Sequence, residues 1–249
     1  QPDGTLRLAD IAAAIKPDDP HFARTRLVVL ENTTGGQVLP PAYIAEVAQL
    51  ARSRGLAMHL DGARMFNAAT ANAARNGTDV YDEARALCSH FDSASLCLSK
   101  GLGAPVGSLV LGSRDFIRQA RRTRKILGGG MRQAGVLAAA GHYALQHHVR
   151  RLTEDHARLD RLAQGLAEAN RSHPALQGKI TVLPWQTNIL FTDLHAEVAP
   201  AFTAWLAQHG VRVTSSLYGG ATRLRWVTHL DVSEAHVTAA LECVARFAG

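Results

Sequence analysis

The sequence predicts an α/β domain followed by a smaller α+β domain, and three observations carry that prediction. Short apolar runs bounded by Gly, Asn, Asp or Lys recur at Leu27-Val28-Val29-Leu30, Leu56-Ala57-Met58-His59-Leu60, Ser95-Leu96-Cys97-Leu98 and Ser108-Leu109-Val110-Leu111. Such runs read as strands buried in a parallel or mixed sheet. Between them, segments 41–54, 63–75 and 79–90 place apolar residues three and four apart, and strand alternating with helix is the mark of an α/β domain. Beyond residue 150 the alternation stops and a shorter, mixed order takes over.

After Gly112 the pattern predicts a helix over 113–126, a glycine run at Gly128-Gly129-Gly130, and a second helix over 131–147. Residues 150–170 read as a third, with Leu152, Leu159, Leu162 and Leu166 on one face. Strands follow at about 180–183 and 188–192, a helix near 197–209, strands at 211–215 and 222–227, and a last helix over 233–247. This order divides the chain into a large domain, residues 1–149, and a small one, residues 150–249.

Composition narrows the class of protein. The 249 residues are 47% hydrophobic and 19% charged, enough apolar material for a core and too little charge for a disordered chain. No apolar run approaches the ~18 residues of a membrane helix, and the first twenty residues show no basic-then-apolar signal pattern. Three widely spaced cysteines, Cys88, Cys97 and Cys243, support neither a disulfide framework nor a zinc ribbon. A reducing, cytoplasmic setting with no membrane partner is the expectation, and no metal site is expected.

The net charge is +6, and 23 of the 27 cations are Arg against 4 Lys. Arg114, Arg118, Arg121, Arg122, Arg124, Lys125 and Arg132 face only Asp115 in their stretch. A solvated helix face accounts for them. Nucleic acid is the competing partner, but one aromatic, Phe116, makes no stacking platform. The chain opens on Gln1 and a turn sequence, Pro2-Asp3-Gly4, so a preceding segment is expected.

Ligand sites of α/β sheets gather beyond the carboxyl ends of the strands. Four apolar runs end in polar residues: Glu31-Asn32-Thr33, Asp61-Gly62-Ala63-Arg64, Lys100-Gly101 and Gly112-Ser113. Lys100 precedes Gly101-Leu102-Gly103-Ala104-Pro105, a partly desolvated strand-end position in which a lysine becomes nucleophilic. Lys16, Lys125 and Lys179 each have a simpler, solvent-exposed explanation. Asp61 has two readings, a helix N-cap or the partner of a protonated heterocycle. A lysine with such an Asp is the pairing used by pyridoxal phosphate enzymes.

Five segments taken together carry a family resemblance. They are Leu30-Glu31-Asn32-Thr33; Asp61-Gly62-Ala63-Arg64-Met65-Phe66-Asn67-Ala68; Cys97-Leu98-Ser99-Lys100-Gly101-Leu102-Gly103-Ala104-Pro105-Val106-Gly107-Ser108; Gly128-Gly129-Gly130-Met131-Arg132-Gln133-Ala134-Gly135; and Val227-Thr228-His229-Leu230-Asp231-Val232. In this order they resemble low-specificity L-threonine aldolases, fold-type I pyridoxal phosphate enzymes of the threonine aldolase and beta-eliminating lyase family. Thr34-Gly35-Gly36 departs from the His-Asn and glycines of many members.

The resemblance implies a fold-type I architecture whose large domain is incomplete at its N-terminus. It also implies pyridoxal 5'-phosphate as cofactor. Lys100 would carry the cofactor as a Schiff base, Asp61 would pair with its ring nitrogen, and Arg64 would face its phenolic oxygen or the substrate carboxylate. Arg132 would reach the phosphate of a neighbouring site at a subunit interface. Arg225 would bind the amino-acid carboxylate, with Arg223 as its local competitor on the same strand face. His59 and His229 lie close enough in sequence to approach the site, although each has an ordinary structural explanation.

The implied reaction is retro-aldol cleavage of threonine, allo-threonine and related β-hydroxy-α-amino acids to glycine and an aldehyde, in a homodimer or homotetramer. The phosphate loop and the stacking histidine of the family would precede Gln1. Three alternatives stay open at this point. They are another lyase or transaminase reaction on the same scaffold, an inactive truncated fragment, and a basic binding module without catalysis.

Overall fold

The structure is a computed structural model that describes residue 1, residues 3–216 and residues 220–249. Parallel pairing of the first three apolar runs organises its first half. Strand β1 (Leu27–Glu31) pairs in parallel with β2 (Ala57–Asp61), and β2 pairs in parallel with β3 (Ser93–Cys97). Strand β4 (Ser108–Gly112) returns antiparallel to β3, giving a mixed four-stranded sheet in sequence order.

The crossovers between parallel strands are helical, as such connections require. Helix α2 (Pro41–Ser53) joins β1 to β2 and starts with Pro at its first position, where the missing N–H costs nothing. Helices α3 (Met65–Asn76) and α4 (Val80–Cys88) join β2 to β3. Gly77, at a left-handed φ of 69°, ends α3, and the Asp79 carboxylate caps α4 by accepting from Tyr81 N. Leu60, Met65, Phe66, Val80, Leu87, Leu96, Leu98 and Leu102 form one core, while Leu30, Leu39, Ile44, Val47 and Met58 form another.

Two helical details differ from the sequence reading. Helix α1 (Leu8–Ala14) is absent from that reading, because two turns are too short to show a period, yet it buries Ile11 beside Leu39. Helix α6 (Gly135–His147) starts four residues later than expected. The glycines run on into a turn over 132–134, where Gln133 adopts a φ of 51°. Helix α5 (Arg114–Ile126), capped by Ser113 Oγ on Phe116 N, buries none of its residues.

The chain separates into two units, Gln1–Leu152 and Thr153–Gly249. Leu152, at the start of α7 (Leu152–Ser172), packs in the core of the first unit and not with Leu159, Leu162 and Leu166. In the second unit, β5 (Ile180–Val182), β6 (Ile189–Leu194), β7 (Thr214–Ser216) and β8 (Gly220–Val227) form an antiparallel sheet of order β5-β6-β8-β7. Helices α8 (Ala199–Gln208) and α9 (Glu234–Ala245) and the leucine stripe of α7 enclose its core, centred on Leu190, Phe202, Leu206, Leu224, Trp226 and Val237. The strand expected over 211–215 begins only at Thr214, and a register irregularity follows at Ser215/Ser216.

Burial in α7 pushes the His156 imidazole down from its ordinary value to about 4, against a smaller upward pull from Asp160. The unfolded chain therefore binds a proton between about pH 6.5 and pH 4 that the folded unit refuses. Stability is fully present above pH 6.5 and is lost as pH falls through this window, by up to about 3 kcal/mol. Thermal melts from pH 7.5 to 4 should show that slope in the native sequence. A flatter slope is expected in His156→Gln.

Among the described residues, no helix is long and apolar enough to cross a membrane, and no cluster of three His, Cys, Asp or Glu side chains could hold a metal ion. The three cysteines are free thiols.

Candidate active site

The register of the parallel strands lines up their polar endings. Glu31 lies opposite Asp61 and Asp61 opposite Ser95, so the carboxyl ends of β1, β2 and β3 form one edge. Gly62 lets the chain turn directly against that edge. A Cβ there would stand 2.6 Å from the Ser95 carbonyl oxygen, inside any tolerable contact.

Asp61 is half-buried, and its Oδ1 accepts from Ala63 N at 3.2 Å. Helix α3 begins only at Met65, with Arg64 in the N-cap position and no side-chain cap bond. Asp61 is thus not the cap of that helix, and the structural explanation open in the sequence loses its basis. Its Oδ2 makes no hydrogen bond among the described residues. Arg64 follows three positions later, half-buried, so the acid and the guanidinium leave the same strand end.

Lys100 lies three residues beyond the end of β3. Leu98 N donates to Gly107 O and Ala104 N to Leu98 O, each at 2.9 Å, closing the loop at its base. Within it, Gly103 N donates to Lys100 O at 2.9 Å. Gly101 is buried so tightly that a Cβ would meet the Leu152 side chain at 2.9 Å. Lys100 is exposed, and its side-chain amine makes no hydrogen bond or ion pair among the described residues. That corrects the partly desolvated setting expected for it, because Lys100 stands three residues beyond the end of β3, on the turn that follows the strand. Burial pushes the nearby Cys97 thiol up, but hydrogen bonding with Ser99 and the Lys100 charge outweigh it, and the thiol lies below its ordinary value.

Asn32 and Thr33 complete the edge and have more to offer than the sequence disclosed. Asn32 N donates to Asp61 O at 3.0 Å, and its Oδ1 accepts from Leu39 N at 3.2 Å. The side-chain amide is therefore oriented, yet Asn32 Nδ2 and Thr33 Oγ1 are buried with no hydrogen-bond partner among the described residues. Unsatisfied buried groups of this kind cost about 1–3 kcal/mol each and call for an explanation at a site. Their position after an apolar run was the available signal, but burial and partnership are not written in sequence.

Other candidates stand apart from this edge. His59 lies mid-strand and pairs through Nδ1 with Ser93 Oγ at 2.8 Å, a structural contact. Arg132 is exposed in the turn before α6, not on its first residues, and makes no hydrogen bond or ion pair among the described residues. The backbone amides of a helix start, expected beside it, are displaced to Gly135.

The second unit carries Arg223 and Arg225 two positions apart on β8. Arg223 is held by Asp193 in a two-pronged pair, Nε to Oδ1 at 2.6 Å and Nη2 to Oδ2 at 2.7 Å. Its fork is committed within the sheet, whereas Arg225 lies half-buried opposite Phe191. The end of β8 is firmly tied down. Asn188 Nδ2 donates to Thr228 O at 2.8 Å, Thr228 N to Asn188 O at 3.1 Å, and Thr228 Oγ1 to Asp155 O at 2.7 Å. His229 is exposed, 3.7 Å from Asp231.

A strand-end lysine on a glycine turn, an uncapping aspartate on the neighbouring parallel strand and a small antiparallel unit define the chain as a fold-type I α/β protein. Its structure aligns with a Leishmania major threonine aldolase at a TM-score of 0.75 and 20% identity, covering 99% of this chain and 68% of the other. The sequence pattern of the beta-eliminating lyases matches residues 1–188, and the chain belongs to that family. It is 46% identical over 93% of its length to the low specificity L-threonine aldolase of Escherichia coli O157:H7. It is 40% identical over 97% of its length to a probable low-specificity L-threonine aldolase of Arabidopsis thaliana. The chain spans 63% and 65% of those two relatives.

Proposed function

We propose that the chain is the core of a pyridoxal 5'-phosphate enzyme that cleaves the Cα–Cβ bond of threonine, allo-threonine and related β-hydroxy-α-amino acids, releasing glycine and an aldehyde. The observation that carries this reading is Lys100 on the turn that follows β3, with Asp61, which caps no helix, at the end of the neighbouring strand β2. The names of the two sequence relatives support the substrate class.

The donor set fits such a cofactor. Among the described residues, Asp61 Oδ2 is an uncommitted acceptor for a ring N–H, and Asn32 Nδ2 and Thr33 Oγ1 are buried polar atoms without hydrogen-bond partners. In this reading Lys100 would hold the cofactor through its aldehyde carbon, with loss of water, Arg64 would donate to its phenolic oxygen or to the substrate carboxylate, and Arg132 would serve the phosphate of a neighbouring subunit. When bound, the cofactor supplies an electron sink for the pair left on Cα. Asp61 holds the proton on the ring nitrogen, because an adjacent carboxylate favours the charged form.

Arg225 grips the substrate carboxylate and so fixes which bond at Cα is presented for cleavage. A planar fork does this better than a point charge. Residues 1–149 act as the cofactor domain and residues 150–249 as the carboxylate-binding domain. Three free thiols support a cytoplasmic setting, and the protein works as a homodimer or homotetramer on a small amino-acid substrate, without nucleic acid or membrane.

Product analysis tests the reaction. The full-length protein, supplied with pyridoxal phosphate and L-threonine, should release glycine and acetaldehyde in equal amounts. Release of ammonia with a 2-oxo acid would assign the scaffold to elimination and overturn the aldolase reading.

A further inference from the structure

We propose that His148 is a positioning residue for Lys100, an inference that rests on the reading of Lys100 as the cofactor lysine. His148 Nδ1 lies 2.6 Å from the carbonyl oxygen of Leu102, in the turn that begins at Lys100. A carbonyl only accepts, so Nδ1 carries the proton in this contact. The donor is delivered from a distant, well-anchored part of the chain. His148 follows the last residue of α6, its own N–H donates to Ala144 O at 2.8 Å, and its ring meets Tyr143 edge-on at 5.5 Å.

The turn needs such a restraint. Lys100 is exposed on a long flexible side chain, and glycines at 101 and 103 give the backbone beneath it unusual freedom. Gly103, at a φ of 69°, adopts a conformation that other residues rarely take. Three contacts oppose that freedom. Gly103 N closes on Lys100 O, Gly101 is wedged against Leu152, and His148 holds the Leu102 carbonyl. The first is local and the second is packing. The imidazole supplies a directional side-chain bond that links this turn to the end of a helix. It touches neither the lysine nitrogen nor any reacting atom, so it acts through the turn, where small displacements of a reactive group are costly.

The experiment compares the native full-length protein with His148→Phe, which keeps an aromatic ring without a donor, and His148→Asn, which returns an N–H near the position of Nδ1. Two readouts are taken, amide hydrogen exchange of the peptide spanning 98–107 and the yield of borohydride-trapped pyridoxal phosphate on Lys100. In His148→Phe, exchange in the turn should rise and trapping on Lys100 should fall, each about fivefold, the size of one lost hydrogen bond. His148→Asn should restore both to within about twofold. Unchanged exchange and trapping in His148→Phe, or equal losses in Phe and Asn variants, would overturn the proposal. Absence of trapping on Lys100 in the native protein would instead sink the reading of Lys100, while exchange would still report on the bond to Leu102.

Discussion

Asp61→Asn is expected to lower kcat/KM for threonine by about 10²- to 10³-fold, the loss typical of removing one preorganised electrostatic partner. The same change should leave the melting temperature of the cofactor-free protein within about 2 °C of the native value. Asn keeps the acceptor that Ala63 N uses and nearly the same shape, so the strand end survives. What disappears is the negative charge that holds a proton on the ring nitrogen. Steady-state kinetics and a thermal melt decide the matter. Equal activity in the Asn variant would return Asp61 to a local structural role.

Arg225→Lys should raise the KM for threonine by roughly 30- to 100-fold, with the absorbance of the bound cofactor retained, because the charge stays while the two-pronged grip is lost. Arg223→Lys serves as the comparison. Its guanidinium is already spent on Asp193, with about a third of each side chain exposed, so the expected cost is about 1 kcal/mol of stability and little change in KM. Titrating initial rates against threonine for both variants separates the two arginines. A larger rise in KM for Arg223→Lys would shift the carboxylate site by one strand repeat.

Much of the large domain was legible because its strands are short apolar islands between polar endings. Leu27 to Leu30, Leu56 to Leu60 and Ser108 to Leu111 became β1, β2 and β4 with shifts of about one residue. The third run shifted by two at its start, since Ser93 pairs with His59 although it gives no apolar signal. Helix α1 was hidden by its length, and the start of α6 by a glycine run whose continuation into a turn has no local marker. The late start of β7 depends on pairing with β8, a tertiary property that local alternation cannot specify.

The candidate site could be proposed from the chemistry of its residues, while its environment was less legible. Strand-end logic singled out Lys100, Asp61 and the Asn32-Thr33 pair, since polar residues ending apolar runs collect at one edge. The exposure of Lys100 and the orphaned amide of Asn32 depend on neighbours brought in from elsewhere in the chain. His148 is the clearest case. It lies in a His147-His148 pair at a helix end, where a surface role is the ordinary expectation, and its partner is 46 residues away in sequence.

The most direct measurement is to load the full-length protein with pyridoxal phosphate, reduce it with borohydride and map the modified peptide. The chain offers four lysines, Lys16, Lys100, Lys125 and Lys179. The reduced phosphopyridoxyl group should be found on Lys100, in the peptide that contains Ser99 and Gly101. Its recovery on Lys125, Lys179 or Lys16 with Lys100 unmodified would contradict the assignment of the site.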